Sequence, residues 1–392
     1  MVKRFFLKAF RLAPILVAMI WINWSVDPVM LYDHHFEDES RHPYVGIITR
    51  DWLAGKPHAM AAFYSERLVD EVMFRNQPTI DVLVLGSSMA KPIHGEMFPG
   101  QTFFNAATYG GRLEEMIGMW EVARGCGVHA KRVLLQLDAG YIGQRQWPVS
   151  KEWSATFGRA RRRLCGDESQ ADPDSSLVGL LDPRVPGEQA AGFASAKGLL
   201  HPYDTLISPR YLQLSVIFLT RKWISGSSYP VIFGPEDQHL LYPDGSIDWC
   251  SHWRLRKIAD FHAPTENPQT PIIAAEWMRP IDGQRRLFEA FVADIQKSGA
   301  EVEFVLLPSN PWLYDQAVTT FRQAAKSLPS TDTETYLRQY AEHHGIRVIG
   351  SLDPHKVGVV EDEFVDFVHL RREAIGRLFA RQHARKQAGI EK

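Results

Sequence analysis

Cysteine is scarce in this chain of 392 residues, which carries only Cys126, Cys165 and Cys250. None forms a Cys-x-x-Cys pair or a Cys/His spacing suited to zinc, so the sequence offers no structural metal site. Cys165 and Cys250 lie in one irregular region, where they either pair in an oxidising compartment, leaving Cys126 over, or remain two buried thiols. Charge imbalance is missing too: the formal net charge is -2 and the pI about 6.7, which gives no reason to expect nucleic acid as a partner. The basic cluster from Arg159 to Arg163 reads as a solvated face. The adjacent pairs His34-His35 and His343-His344 point apart on any regular element and read as surface histidines. No internal repeat is visible. What is present, 45% hydrophobic and 23% charged residues, is the profile of a folded globular chain, long enough for one large domain or two ordinary ones.

The first thirty residues stand apart from that profile. Lys3, Arg4, Lys8 and Arg11 precede the uncharged run LAPILVAMIWINW, and Asp27, Asp33, Glu37, Asp38 and Glu39 follow it. A run this short suits a signal-peptide core as well as a membrane span. No small-x-small cleavage site follows Ile22, and Lys8 and Arg11 can snorkel, with Trp21 and Trp24 at the far interface, so residues 1–29 are expected to be a cytoplasmic tip and a transmembrane anchor. Positive charge before the span puts the body of the protein on the outer side, periplasmic or at the cell surface. Residues 30–80 then form a Pro-punctuated extracytoplasmic lead-in without a firm period.

From residue 81 the pattern becomes regular. DVLVLG (81–86), TFFN (102–105) and RVLLQLD (132–138) read as strands, with a helix over 112–125. Regularity lapses at about 145 and returns near 283, so a long insertion follows the third strand; it contains a helix opening on Ser208-Pro209 and a turn at PDGS (243–246). QRRLFEAFVADIQKSG is then a helix, EVEFVLLP (301–308) the fourth strand, Thr331 to Glu334 a capping box, IRVIG (346–350) the fifth strand, and about 371–387 a final helix. Residues 81–392 are therefore expected to form an α/β domain: three layers, α/β/α, around a flavodoxin-like five-stranded parallel sheet.

Domains of this class bind at the carboxyl ends of their strands. The first strand ends at Gly86-Ser87-Ser88, the fourth at LPSNPW, and the fifth is followed by EFVDFVHL. Asp366 and His369 stand three apart, which lets the carboxylate hold the imidazole Nδ1 while Nε2 faces a nucleophile. A serine hydroxyl needs such a base to become nucleophilic.

These blocks resemble the SGNH, or GDSL-like, hydrolases over roughly residues 81–140 and 300–380. The resemblance implies that Ser88 of VLGSS is the nucleophile and that Asp366-Phe-Val-His369 is the final block. It aligns FNAATYG with the block that carries Asn105 and the oxyanion donor Gly110. The family's third block, Gly-x-Asn-Asp, has no counterpart: LDAGYIG puts Gly140 where the oxyanion asparagine stands, leaving Asn310 and Arg112 as the nearest candidates by topology. Loss of one such donor costs roughly a hundredfold or more in rate. The anchor, the following VDP and the GSLDP stretch look like membrane-anchored members concerned with exopolysaccharide O-acetylation. The resemblance implies an extracytoplasmic serine esterase or O-acyltransferase that acts on a carbohydrate ester, alongside an envelope polysaccharide machinery. It implies neither metal nor organic cofactor. The altered third block leaves a second reading open, a non-catalytic tethered polysaccharide-binding or assembly component.

Overall fold

Strands form where apolar residues run without alternation, as sheets covered on both faces require. Thr79–Leu85 (β1), Phe103–Asn105 (β2), His129–Leu137 (β3), Glu301–Leu306 (β4) and Arg347–Gly350 (β5) make one parallel sheet in the order β2-β1-β3-β4-β5. The register pairs Val84 with Asn105, Leu85 with Leu135, Leu137 with Leu306, and Leu306 with Gly350. This is the doubly wound order expected from the sequence. It reverses direction between β1 and β3, so the binding crevice opens beyond the carboxyl ends of those two strands.

The structure is a computed structural model that describes residues 2–26, 43–60, 65–143, 149, 151–165, 207, 212–213, 215–216, 219, 239–249, 280–323, 326–366 and 368–387. Two compact units divide it: Met1–Arg50, Ala59–Ser65 and Ser175–Gln238 in one, and Asp51–His58, Glu66–Asp174 and His239–Lys392 in the other. In the first, α1 (Val2–Val26) is a continuous helix with Pro14 inside it, and the Ser215 hydroxyl donates to Asn23 Oδ1 at 3.3 Å. Ile15, Val17, Trp21 and Trp24 of α1 are exposed. Among the described residues no helix is long and apolar enough to cross a membrane.

The second unit holds the sheet. On one face Val82, Val84, Leu134, Val305 and Ile349 meet Ile93, Phe98 and, from the final helix Arg372–Gln387, Ile375, Leu378 and Phe379. On the other, Phe304 lies 5.6 Å from Phe288 of the helix Asp282–Lys297 and 6.3 Å from Tyr340 of the helix Pro329–His343. Each such side chain, fully buried, contributes about 1.5–3 kcal/mol through area removed from water. Trp120, from the helix Leu113–Gly125, donates its indole N–H to Asp294 at 2.8 Å and ties two helices of that layer together.

Several expectations change. The lead-in is not irregular throughout: it carries α2 (Pro43–Leu53) and α3 (Glu66–Asn76), the latter burying Val69, Met73 and Phe74. The insertion divides between the units. The helix Lys151–Cys165 and the hairpin of His239–Leu241 with Ile247–Asp248 belong to the sheet's unit, and residues 175–238 belong to the other. Its ends meet, since the Ile281 N–H donates to the Ile142 carbonyl at 2.9 Å. The helix expected after Ser208-Pro209 falls mostly outside the described residues. No capping box forms at Thr331 to Glu334, because the helix starts at Pro329 and Glu334 is drawn to β5, accepting from Ser351 Oγ and the Leu352 N–H. Cys126 and Cys165 are free thiols, Cys165 exposed, while Cys250 lies outside the described residues.

Candidate active site

The turn after β1 is shaped by one neighbour. A side chain at Gly86 would put its Cβ 2.7 Å from Gln136 Cβ and 2.8 Å from Gln136 Oε1, so only glycine lets β1 end this close to β3. The same Gln136 oxygen accepts from the Ser87 N–H at 2.9 Å, the Ser87 hydroxyl at 3.0 Å and the Tyr141 hydroxyl at 3.3 Å. Ser87 caps the short turn Ser88–Ala90 by accepting from the Met89 N–H. The abrupt Gly-Ser-Ser end of the strand is thus a fixed turn that presents Ser88 at the mouth of the crevice.

On the far side of the sheet order, the segment after β5 folds back on itself, with the Val365 N–H donating to the His369 carbonyl at 2.9 Å and the Arg371 N–H to the Glu363 carbonyl at 2.7 Å. Asp366 Oδ1 accepts the N–H groups of Val368 and His369, each at 2.8 Å, and Oδ2 lies 2.7 Å from His369 Nδ1. Burial pushes the Asp366 carboxyl up, but His369 and these two N–H groups outweigh it and hold the group below the usual carboxylate range. A carboxylate can only accept, so Nδ1 carries the imidazole proton and Nε2 is the acceptor. Nε2 lies 2.8 Å from Ser88 Oγ. Ser88, Asp366 and His369, 281 positions apart at their extremes, form one continuous hydrogen-bonded line.

The Ser88 turn is bridged at Ser87 to Thr108 of a neighbouring turn. In the segment 106–111 the Thr108 N–H goes to the Gly86 carbonyl, the Tyr109 N–H to Glu66 Oε2 and the Gly111 N–H to the Thr108 carbonyl. Gly110, at φ +62°, closes this turn in a conformation that favours glycine. Among the described residues the N–H groups of Gly110 and of Ser88 make no hydrogen bond, whereas those of their neighbours Ser87, Met89, Tyr109 and Gly111 do.

The other residues singled out by sequence have different employment. Asn105 is wholly buried, and its amide nitrogen donates to the carbonyls of Ala90, Lys91 and Ile93, so it locks the turn that carries Ser88 to β2 and has no N–H left for another acceptor. Asn310 accepts from the N–H groups of Trp312 and Leu313, capping the helix Pro311–Gln323 two strand positions from β1, roughly 10 Å at ordinary strand spacing. Arg112 opens the helix Leu113–Gly125, its main-chain N–H and its guanidinium both meeting Glu115. Gly140 offers no side chain; its N–H donates to Asp138 at 2.7 Å. Burial raises the Asp138 carboxyl to about 6, and the N–H groups of Gly140 and Tyr141 only partly oppose this.

Sequence reasoning missed three contributors. Trp249, from the insertion, lies over the His369 imidazole with ring centroids 4.6 Å apart, and its other neighbours include Tyr109 at 6.3 Å. Lys91 and Glu66 form an ion pair at 2.8 Å directly behind the turn. Lys91 alone was legible, as a single charge three residues after Ser88 in the apolar stretch MAKPI. That Ser-x-x-Lys spacing also occurs where lysine serves as the base, but here the ammonium turns to Glu66 and His369 holds the hydroxyl. Compared with protein-family models and with curated protein sequences, the chain matches none.

Proposed function

We propose that the protein is an extracytoplasmic serine esterase or O-acyltransferase of the SGNH type, acting on ester groups of a cell-surface polysaccharide. The observation that carries this reading is the line Ser88 Oγ–His369 Nε2 at 2.8 Å and His369 Nδ1–Asp366 at 2.7 Å. Ser88 Oγ bonds to the ester carbonyl carbon as its proton passes to His369 Nε2. Asp366 stabilises the imidazolium, and the N–H groups of Ser88 and Gly110 receive the oxyanion. Collapse of the tetrahedral intermediate breaks the C–O bond to the sugar, whose oxygen takes the proton back from Nε2. Water or a second sugar hydroxyl then attacks the acyl-serine, with His369 again accepting the proton and returning it to Ser88. The test is turnover of a small acetyl ester and of an O-acetylated oligosaccharide by the full chain. Ser88→Ala and His369→Ala should each abolish it, with the double variant little worse, because members of such a line act as a unit. Independent losses that multiply would contradict the mechanism.

Gly140 in place of the third-block asparagine favours a second reading, a tethered polysaccharide-binding component with a decayed site. Binding of the oligosaccharide without turnover, unchanged in Ser88→Ala, would favour it. Placement outside the membrane is part of the proposal and rests on the charge asymmetry around α1 and its exposed Ile15, Val17, Trp21 and Trp24. A reporter fused after residue 40 should be active on the outer face and stay with membranes after a salt wash; a soluble, N-terminally trimmed product would show a cleaved signal instead.

A further inference from the structure

The mechanism leaves one buried charge pair unused. Lys91 is 1% exposed and its ammonium stands 2.8 Å from the Glu66 carboxylate of α3. Each charge taken from water costs several kcal/mol, and apolar residues of similar volume often stabilise such a position at least as well. The pair's role lies in what it holds. The second Glu66 oxygen accepts the Tyr109 N–H at 2.6 Å. Tyr109 and Gly110 are the central residues of the turn that the Gly111 N–H closes onto the Thr108 carbonyl, so fixing Tyr109 fixes the direction of the Gly110 N–H. At its other end, the Lys91 N–H donates to the Ser88 carbonyl at 3.2 Å, and the Lys91 carbonyl accepts from Asn105 at 3.2 Å and from the Ile247 N–H at 3.0 Å. One residue is thus fastened to the nucleophile turn, to the end of β2, to the insertion hairpin and, through Glu66, to the loop that carries Gly110.

We infer that Glu66 is a positioning residue for the oxyanion hole, with Lys91 as its buried counter-charge: the Glu66 acceptor fixes the Gly110 donor relative to that of Ser88, an assignment that rests on the esterase reading above. With no side-chain amide at Gly140, the backbone donors carry the oxyanion, and their spacing has to be held from behind. Glu66 acts through its acceptor oxygen, and Lys91 supplies the counter-charge that lets a carboxylate stay buried there, a need that vanishes when both side chains are uncharged. Neither touches the reacting atoms.

The test compares Glu66→Gln and Glu66→Met, both combined with Lys91→Met. Both double variants are uncharged and of similar length, but only glutamine keeps an acceptor for the Tyr109 N–H. Two readouts are taken on the full chain: amide hydrogen exchange over residues 106–112, and kcat and KM on a small acetyl ester. The glutamine form should keep wild-type protection and a kcat within about threefold. The methionine form should exchange at least tenfold faster over 106–112 and lose roughly 10- to 100-fold in kcat, with KM little changed, since an oxyanion donor acts in the transition state. Equal protection and equal kcat in the two folded forms would overturn the assignment, as would a loss confined to KM. If the methionine form does not fold, the glutamine form decides alone: a folded protein with lost protection or lost kcat contradicts the inference. A wild-type protein without turnover removes the esterase reading, and the exchange contrast still decides whether the pair holds the loop.

Discussion

Among the described residues, serine, histidine and aspartate side chains come together in two places, and the two differ in access and in free donors. In the first, His369 joins Ser88 and Asp366. In the second, His94 Nδ1 lies 3.0 Å from Ser246 Oγ, and Nε2 lies 3.5 Å from Asp248. Residue types are identical, but the His94–Asp248 separation is longer than an ordinary hydrogen bond. The surroundings differ. His369 and Asp366 side chains keep 13% and 15% exposure at the crevice, whereas His94 is 3% exposed and Ser246 not at all. Ser246 also donates to Asp244, whose other oxygen accepts the Gly95 N–H at 2.9 Å, while Asp248 accepts from Tyr242 and meets Arg372. The second set therefore pins the insertion hairpin to the body of the domain, with its serine closed to any substrate. Ser88 differs further in that its own backbone N–H makes no hydrogen bond among the described residues, whereas the Ser246 N–H donates to Asp244 at 3.0 Å. Access and free donors, more than the three residue types, distinguish the two lines.

The largest effect that would sharpen this contrast comes from the two histidines. His369→Ala should lower esterase kcat by at least about 10⁴-fold with little change in melting temperature, since its loss removes the base. His94→Ala should instead cost about 1–3 kcal/mol of stability by leaving buried polar partners unsatisfied, with kcat of the folded protein within a few-fold of wild type. A folded His94→Ala protein without activity would break the comparison. Next in size, Gly86→Ala should destabilise by about 1–3 kcal/mol, because its Cβ collides with Gln136, and should also reduce kcat by displacing Ser88. Urea unfolding and ester turnover measure the two parts separately.

Acid tests the second constellation more gently. Burial raises Asp248, but the nearby His94, the Tyr242 hydrogen bond and the charge of Arg372 outweigh it and lower the carboxyl to about 2 from an ordinary 3.8. A depressed folded value means that the stabilisation is fully present above about pH 4 and is lost as pH falls toward 2. Asp248→Asn should remove that slope from urea midpoints measured between pH 5 and 2.5; an unchanged slope would show that the hairpin anchor is not ionic. An effect of similar size is expected at Asp138, raised to about 6 mainly by burial. Here the sign is opposite: its contribution to stability is full below about pH 4 and is lost as pH rises through 6. Asp138→Asn, which keeps an oxygen for the Gly140 N–H, should be more stable than wild type at pH 8 and indistinguishable at pH 4. Thermal melts at the two values check this.

Much of this architecture is legible in the sequence, and the limits have physical causes. DVLVLG, RVLLQLD and EVEFVLLP announce themselves because strands covered on both faces need unbroken apolar runs. The helix Glu66–Asn76 hides because its eleven residues are mostly polar and bury only a narrow stripe, including Val69, Met73 and Phe74. Local rules mislead where tertiary partners compete: Glu334 fits a capping box by spacing, yet the β5 turn captures it. Asn105 and Gly110 sit in one recognisable block, but only the three carbonyls around Asn105 reveal that it braces the turn. Partners far apart in sequence, such as Lys91 with Glu66 or Trp249 with His369, leave no periodic trace. Nothing in a one-dimensional reading distinguishes His94 from His369 except the Asp-x-x-His spacing of the latter.

The most direct measurement is the reaction of the full-length protein with a fluorophosphonate, followed by mapping of the modified peptide. A serine activated by His369 should form one phosphonyl adduct, on the peptide containing Ser88 and not on that containing Ser246. Labelling should vanish in Ser88→Ala and slow by several orders of magnitude in His369→Ala. A folded wild-type protein that takes no label, or an adduct that persists in Ser88→Ala, would contradict the account.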